Sequence, residues 1–307
     1  MKRLIFFILI ITLLIGCQKK ELYKDKQVIM GTFVEVISPK KNAAKISFDE
    51  IKRIENLLSK YIEFSEIYRL NKLGKLTVSP ETFFILKKSV EFWQLSNGGF
   101  DITVGPLLDL WGFTDKNYRK PNEAEIQNTL KLVGSEKISF DNEKSVVNFT
   151  IPGMKVDLGA IAKGYALDCV VKKLKESNIK SCLVNLGGQI YCLGARFGQP
   201  WKIAIASPRG KDFVDFIELI DKGVSTSGDY EQYFIIDNWR YSHILNPKTG
   251  YPANSGIISD TVITENNLTA DALSTAIFVL GREKGSELAK RFSNTEVKII
   301  PGRVNGK

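Results

Sequence analysis

The sequence predicts an α+β fold in one large domain. Two observations carry this. Short β-rich segments come in runs joined by turn signals and are then followed by helices, where a doubly wound parallel sheet would alternate them singly. About 280 residues from Gln27 onward contain no Pro/Ser-rich linker, low-complexity tract or clear internal repeat, and that length builds an ample core.

In order, "VIMGTFVEVIS" (28–38) reads as a first strand, and Phe48, Ile51, Ile54 and Leu58 then recur at helical spacing in a helix ending near Tyr61. Ser79-Pro80-Glu81 supplies an N-cap, an N1 proline and an early acid for a second helix, which stops at Asn97-Gly98-Gly99. A third helix follows Pro121, and "KISFDNEKSVVNFT" reads as a hairpin. Ala160 to Ser177 is helical. Strands are expected at 181–186, 189–194, 201–206, 214–220, 223–227, 231–236 and 240–245, the last two joined by Asp237-Asn238. A strand at 257–264 and helices over roughly 268–292 close the chain.

Ahead of these elements stand Met1-Lys2-Arg3, the apolar run Leu4 to Ile15 and Gly16-Cys17, the layout of a secretory signal with a run too short to span a bilayer comfortably. Leu14-Ile15-Gly16-Cys17 resembles the lipobox of bacterial lipoproteins. That resemblance implies a signal peptide at 1–16, a diacylated, palmitate-bearing Cys17 as mature N-terminus, and a membrane-anchored protein on the extracytoplasmic face, in the periplasm if the cell is Gram-negative. Residues 17–26 are polar and lysine-rich and read as a tether, leaving 27–307 as the domain.

The formal charge is +9, from which Lys2 and Arg3 leave with the signal. The lysines are scattered among acidic residues, which argues against nucleic acid as a partner and fits an anionic membrane surface better. Besides Cys17 the cysteines are Cys169, Cys182 and Cys192, an odd set without C-x-x-C spacing, so neither a zinc site nor a disulfide framework is indicated. Cys182 and Cys192 flank Gly187-Gly188 and could face each other across a hairpin; two buried thiols is the plainer reading.

Several stretches carry candidate chemistry. His243, in "YSHILNPKTG", is the only histidine, hence either a packed core residue or the one imidazole available as general base near neutral pH. "DLGAIAKGYALD" (157–168) has Walker-like glycine spacing but Tyr165 where the phosphate-binding lysine belongs. What remains is a strand ending at Asp157, a helix opening near Ala160 whose free N–H groups could hold an anion, and Lys163 beside it. In "LTADALSTA", Asp271 and Thr275 lie four apart and could share a hard cation; equally, Thr269 could be an N-cap, Asp271 a first-turn dipole partner and Thr275 a back-bonded hydroxyl. "SNGGFDITVGPLLDLWGF" could bring backbone, a flat ring and the carboxylate of Asp101 to a ligand, or could be a helix C-cap followed by a buried strand.

Taken together, Met30-Gly31-Thr32, "SEIYRLN", "GGFDITVGPL", "VDLGAIAKGYALD", "VNLGGQIYCLG", "PWKIAIASPR", "STSGDYEQYF", "SHILNPKTGYP" and "ADALSTA" resemble, in order and across nearly the whole mature chain, the ApbE family of flavin transferases. The resemblance implies the ApbE-like, T-fold-related arrangement of mixed and antiparallel sheets with packed helices. It implies transfer of FMN from FAD to a threonine or serine hydroxyl of a protein, with Mg²⁺ and release of AMP. The acceptors would be redox subunits bearing a D-x-x-[ST]-G-[AS]-[ST]-like sequence. By the same resemblance Met30, Tyr61, Gly99, Phe100, Asp101, Asp157, Lys163 and Leu245 contact FAD, and the Ala160 carbonyl, Asp271 and Thr275 hold magnesium; with the resemblance included, His243 is read as a site residue, as base or as hydrogen-bonding orienter, and is expected to be catalytic together with Asp271. One departure is Gln189, where the family commonly has aspartate. FAD hydrolysis to FMN and AMP, and flavin binding without chemistry, are the competing readings of the same residues.

Overall fold

The computed structural model describes residues 21–302; Cys17 and the signal stretch lie outside them. The chain opens with β1 (Tyr23–Ile29) and β2 (Thr32–Ser38), followed by α1 (Ala43–Leu58), α2 (Glu66–Leu73), β3 (Lys75–Thr77), α3 (Pro80–Leu95), α4 (Gly105–Leu110) and α5 (Glu123–Leu130). The hairpin β4 (Ile138–Asp141) and β5 (Val146–Phe149) leads to α6 (Ala162–Glu176). Next come β6 (Cys182–Leu186), β7 (Gln189–Leu193), β8 (Trp201–Ala206), β9 (Phe213–Leu219), β10 (Lys222–Gly228), β11 (Tyr233–Ile236) and β12 (Trp239–Ser242). β13 (Ile257–Thr264), α7 (Asn267–Leu280), α8 (Arg282–Ala289) and β14 (Glu296–Pro301) complete the fold.

The main sheet has seven strands in the order β1-β2-β6-β7-β10-β13-β14. Every pairing among the described strands is antiparallel, so the sheets are not mixed. One face of this sheet carries the helices in the largest core, where Phe48, Ile51, Ile54 and Leu58 of α1 share a cluster with α6, which in turn packs on α7. The other face is covered by the two-stranded sheet β8–β9 through Trp201, Ile203, Ile217 and Leu219. A third cluster packs α4 and α5 against β11–β12 around Trp111 and Phe234.

Side-chain caps mark the start of four of the eight described α-helices. Ser79 caps α3, accepting the Thr82 N–H ahead of Pro80, and Asn122 with Glu125 forms a reciprocal capping box on α5. Several expectations need correction. The stretch 28–38 is two strands, because Met30 and Gly31 both take positive φ (54° and 70°) and reverse the chain. Regular structure is already present at Tyr23, four residues before Gln27, in a strand held by a seven-residue ladder to β2 although most of its side chains face solvent. No strand leads into Asp157 or follows Phe100; the latter segment is a 3₁₀ turn running into α4. α6 opens at Ala162, two residues after the expected start, and β12 ends at Ser242, so His243 stands just past a strand. Asn266, not Thr269, caps α7, which puts Asp271 in its second turn.

Cys182 and Cys192 are free, buried thiols. Their register is Cys182↔Leu193 and Leu183↔Cys192, so they sit on neighbouring strands one step out of line and face opposite sides of the sheet.

α6 and α7 approach closely at Gly164. A Cβ there would lie 2.3 Å from the Asn267 carbonyl oxygen and 2.8 Å from Asp271 Cβ. Asp168, one turn further along α6, accepts the backbone N–H groups of Asn267 (2.9 Å) and Leu268 (3.0 Å) and both side-chain amides of Asn266 and Asn267, tying α7's first turn to α6. Gly164→Ala must push two helices apart against backbone and is expected to lower stability by about 1–3 kcal/mol. Urea unfolding of the variant measures this; an unchanged midpoint would mean that the helices can separate freely.

Candidate active site

A cavity of about 640 Å³ opens at the end of the main sheet that holds the β1–β2 turn, on the side of the helices. All twelve cavity residues expected from the sequence line it: Met30, Tyr61, Gly99, Phe100, Asp101, Asp157, Ala160, Lys163, His243, Leu245, Asp271 and Thr275. Its size suits a dinucleotide-sized ligand.

The first wall is the β1–β2 turn and the end of α1. The Met30 N–H donates to Glu55 Oε1 (2.7 Å), pinning the reversed backbone to the helix. Tyr61 is exposed at the rim, with the Lys60 ammonium 5.0 Å from its ring centre. Lys60 went unnoticed in the sequence because a lysine near a helix end normally faces water. Here it pairs with Asp157 Oδ2 at 2.7 Å and donates to Thr114 Oγ1 at 3.0 Å. Burial opposes its charge, yet the attraction and hydrogen bond from Asp157 prevail and its pKa is raised. The other Asp157 oxygen accepts the Gly159 N–H (2.7 Å), so this carboxylate is neutralised and fixed before any ligand arrives.

The second wall is the segment 99–104. Gly99 lies against α7, where a Cβ would meet Leu280 Cγ at 2.6 Å. The Asp101 carboxylate is occupied by Thr103 N–H (2.8 Å), Thr103 Oγ1 (2.7 Å), Ser135 N–H (3.1 Å) and Ser135 Oγ (2.7 Å). It therefore builds the wall by stapling two loops, and burial still lifts its pKa despite those donors.

The third wall brings α6 and α7 together. The Gly164 N–H donates to Asp271 Oδ2 at 2.9 Å, and burial, opposed by Lys163, raises the Asp271 carboxyl to about 6. Thr275 follows one turn on and the Ala160 residue lies across the cavity wall. The expected cradle of free N–H groups at the start of α6 is largely spent: Ile161 and Ala162 donate to Leu158, and Tyr165 to Ile161. Positive charge on this wall thus comes from the Lys163 ammonium more than from the helix terminus. A carboxylate, a hydroxyl and a carbonyl form an all-oxygen donor set, which fits a hard divalent cation. Among the described residues no cluster of three His, Cys, Asp or Glu exists that could cage a metal alone, so ligand phosphate and water would complete such a shell.

His243 closes the site. Its backbone N–H and its Nδ1 both reach the Gln232 carbonyl, at 3.0 and 3.1 Å. A carbonyl only accepts, so Nδ1 carries the proton and Nε2 keeps its lone pair. Burial lowers the imidazole pKa to about 4, overriding the Gln232 hydrogen bond, and Lys163 lowers it further. The residue is half-buried and lines the cavity. Glu231 next to Gln232 behaves similarly. It also lines the cavity, and burial with Asp271 nearby raises its pKa against the pull of Lys163.

Gln189 lies outside the cavity. It is buried, and its Nε2 donates to the Asn267 carbonyl at the start of α7 (3.2 Å), a contact that an ionised aspartate could not make.

With this geometry in view, the model of the ApbE family matches residues 30–299. The chain belongs to the ApbE family. The FAD:protein FMN transferase of Haemophilus influenzae is 34% identical over 268 residues, covering 83% of this chain and 77% of that protein. The one from Vibrio cholerae is 35% identical over 248 residues, covering 78% and 74%. Among solved structures, the ApbE protein of Thermotoga maritima superposes with a TM-score of 0.85 at 37% identity, covering 92% of this chain and 94% of that one. The flavin transferase ApbE of Vibrio cholerae gives 0.82 at 32% identity, with the same coverage.

Because this ApbE-family chain has one histidine, its imidazole gives one set of ring ¹⁵N signals. The expected result is an Nδ1–H tautomer at neutral pH and a midpoint near 4, since burial disfavours the charged ring and protonation is postponed to lower pH. Titration close to 6.5 would place the ring in solvent.

Proposed function

We propose that this chain is an FAD:protein FMN transferase, moving FMN from FAD to a threonine or serine hydroxyl of an acceptor protein and releasing AMP. The observation that carries the reading is the convergence, in a single cavity, of Lys163, Asp271, Thr275 and a histidine whose Nε2 is unprotonated. The relatives' names point to the same reaction.

In this reading FAD lies along the cavity with its pyrophosphate between Lys163 and Asp271. The paired Asp157 accepts a hydrogen bond from a neutral donor of the ligand without adding repulsion. The acceptor hydroxyl oxygen attacks the FMN-side phosphorus, its proton passes to His243 Nε2, and the P–O bond to the AMP phosphate breaks with its electron pair leaving on AMP. Mg²⁺, held by the Ala160 carbonyl, Asp271 and Thr275, would supply charge neutralisation at the phosphate oxygens. A lipid on Cys17 would hold the enzyme at the outer face of the membrane, near membrane redox subunits as acceptors. Purified chain incubated with FAD, Mg²⁺ and a candidate acceptor domain, followed by the acceptor's mass, tests the reading: added FMN supports transfer, while free FMN with an unmodified acceptor means hydrolysis.

Asp271→Ala is expected to abolish magnesium-dependent turnover while the protein stays folded; Thr275→Val, losing a neutral ligand, should be milder. Unchanged magnesium dependence in Asp271→Ala would remove it from the metal site.

His243→Asn should retain FAD binding and lose about two to four orders of magnitude in transfer rate. Near-normal transfer per folded molecule, with only a lowered melting temperature, would make His243 a packing residue.

A further inference from the structure

The sheet β8–β9 has one face inside and one bare. Ile217 and Leu219 point into the cluster against the main sheet, while Phe216 and Glu218 point outward, Glu218 standing opposite Lys202, and Val214 is the extra residue of a bulge. Phe213, Val214, Phe216 and Ile220 are 59%, 51%, 53% and 44% exposed, and the Phe213 and Phe216 rings lie 5.7 Å apart. The Lys202 ammonium sits 4.8 Å from the centre of the Phe216 ring. Solvated sheet faces are normally polar, so an apolar strip with a lysine folded over it asks for a covering surface.

The position of the chain's entry says what that surface is. Leu22, immediately before β1, packs against the same cluster that β8–β9 covers. Cys17 precedes Leu22 by five residues, a reach of at most about 18 Å even fully extended. A lipid on Cys17 would hold this end of the molecule against the bilayer, and the bare face begins at the same end of the sheet, three strands across: Ile220 adjoins Asp221, which accepts the Gly194 N–H just past β7. Paired aromatic rings with a lysine at their edge match the boundary between headgroups and acyl chains.

We propose that the outer face of β8–β9 rests on the lipid bilayer, an inference that presupposes the lipid on Cys17. The molecule then lies with its main sheet roughly along the membrane and its helices away from it. The cavity, on the helical side of that sheet, stands off the lipid by the thickness of two stacked sheets.

The test places an environment-sensitive dye on Phe216→Cys, and for comparison on Phe84→Cys of α3 in the helical layer, in full-length protein carrying Cys169→Ala. The protein is reconstituted in phosphatidylcholine–phosphatidylglycerol vesicles containing a lipid-borne quencher, and the mass of the N-terminal peptide reports lipidation separately. Docking predicts several-fold stronger quenching at 216 than at 84 in lipidated protein. Equal, weak quenching at both sites with Cys17 lipidated overturns the docking and leaves the anchor intact. Strong quenching at 216 without lipid on Cys17 would show the face meeting lipid unaided and overturn the anchored arrangement. A blue shift at 216 that needs no vesicles and grows with protein concentration would assign the face to a second copy of the chain and overturn the proposal.

Discussion

The contact on which the site depends is the one between Gly164 and Asp271, residues 107 positions apart. A missing side chain lets two helices touch, and the N–H exposed by that contact holds the carboxylate that faces the cavity. Asp168 secures the same helix pair a turn further along with four hydrogen bonds to the start of α7. Lys163 and Asp271 thus come to one wall at a set distance because the backbones beneath them cannot slide. Gln189 belongs to this arrangement: an amide can donate to the Asn267 carbonyl, whereas an ionised carboxylate there would set acceptor against acceptor.

Electrostatically the cavity is built from groups held away from their solution behaviour. Burial keeps the imidazole neutral, raises the carboxyls of Asp271 and Glu231, and opposes the charge of Lys60, which Asp157 beside it favours more strongly. Behind the wall, Asp260 on β13 is wholly buried with neither oxygen hydrogen-bonded, and desolvation with Glu231 nearby favours its protonated form. A dianionic pyrophosphate entering such a place meets two ammonium groups, one already committed, and carboxyls whose charge is disfavoured by burial. Binding then costs less repulsion than the count of acidic residues suggests.

Much of this was legible in the sequence where the cause is local. Helix α3 announces itself through Ser79-Pro80, α5 follows Pro121, and the β11–β12 turn sits at Asp237-Asn238, where both residues take positive φ. Locality also explains the failures. The turn at Met30-Gly31 depends on Glu55 capturing an N–H from 25 residues away, so the strand through it read as continuous. α2 is two turns long and buries only Ile67 and Leu70, too little periodicity to detect. The cavity residues were recognisable as a set because family motifs span them. Their division of labour was not: Asp101 as a staple and Lys60 as the partner of Asp157 are both products of tertiary contact.

Among the described strands β1 is an edge strand, bonded to β2 alone, and it begins at Tyr23. Its hydrogen bonds run across the strand direction, from Tyr23↔Ser38 to Ile29↔Thr32. A pull on the preceding chain along the strand axis would load the whole ladder in shear, so that the bonds share the force and must fail together. A pull outward from the sheet would instead open them one at a time, starting at Tyr23. The mechanical strength of the domain under tension at its N-terminus is therefore a matter of direction, greatest when the chain leaves in line with the sheet.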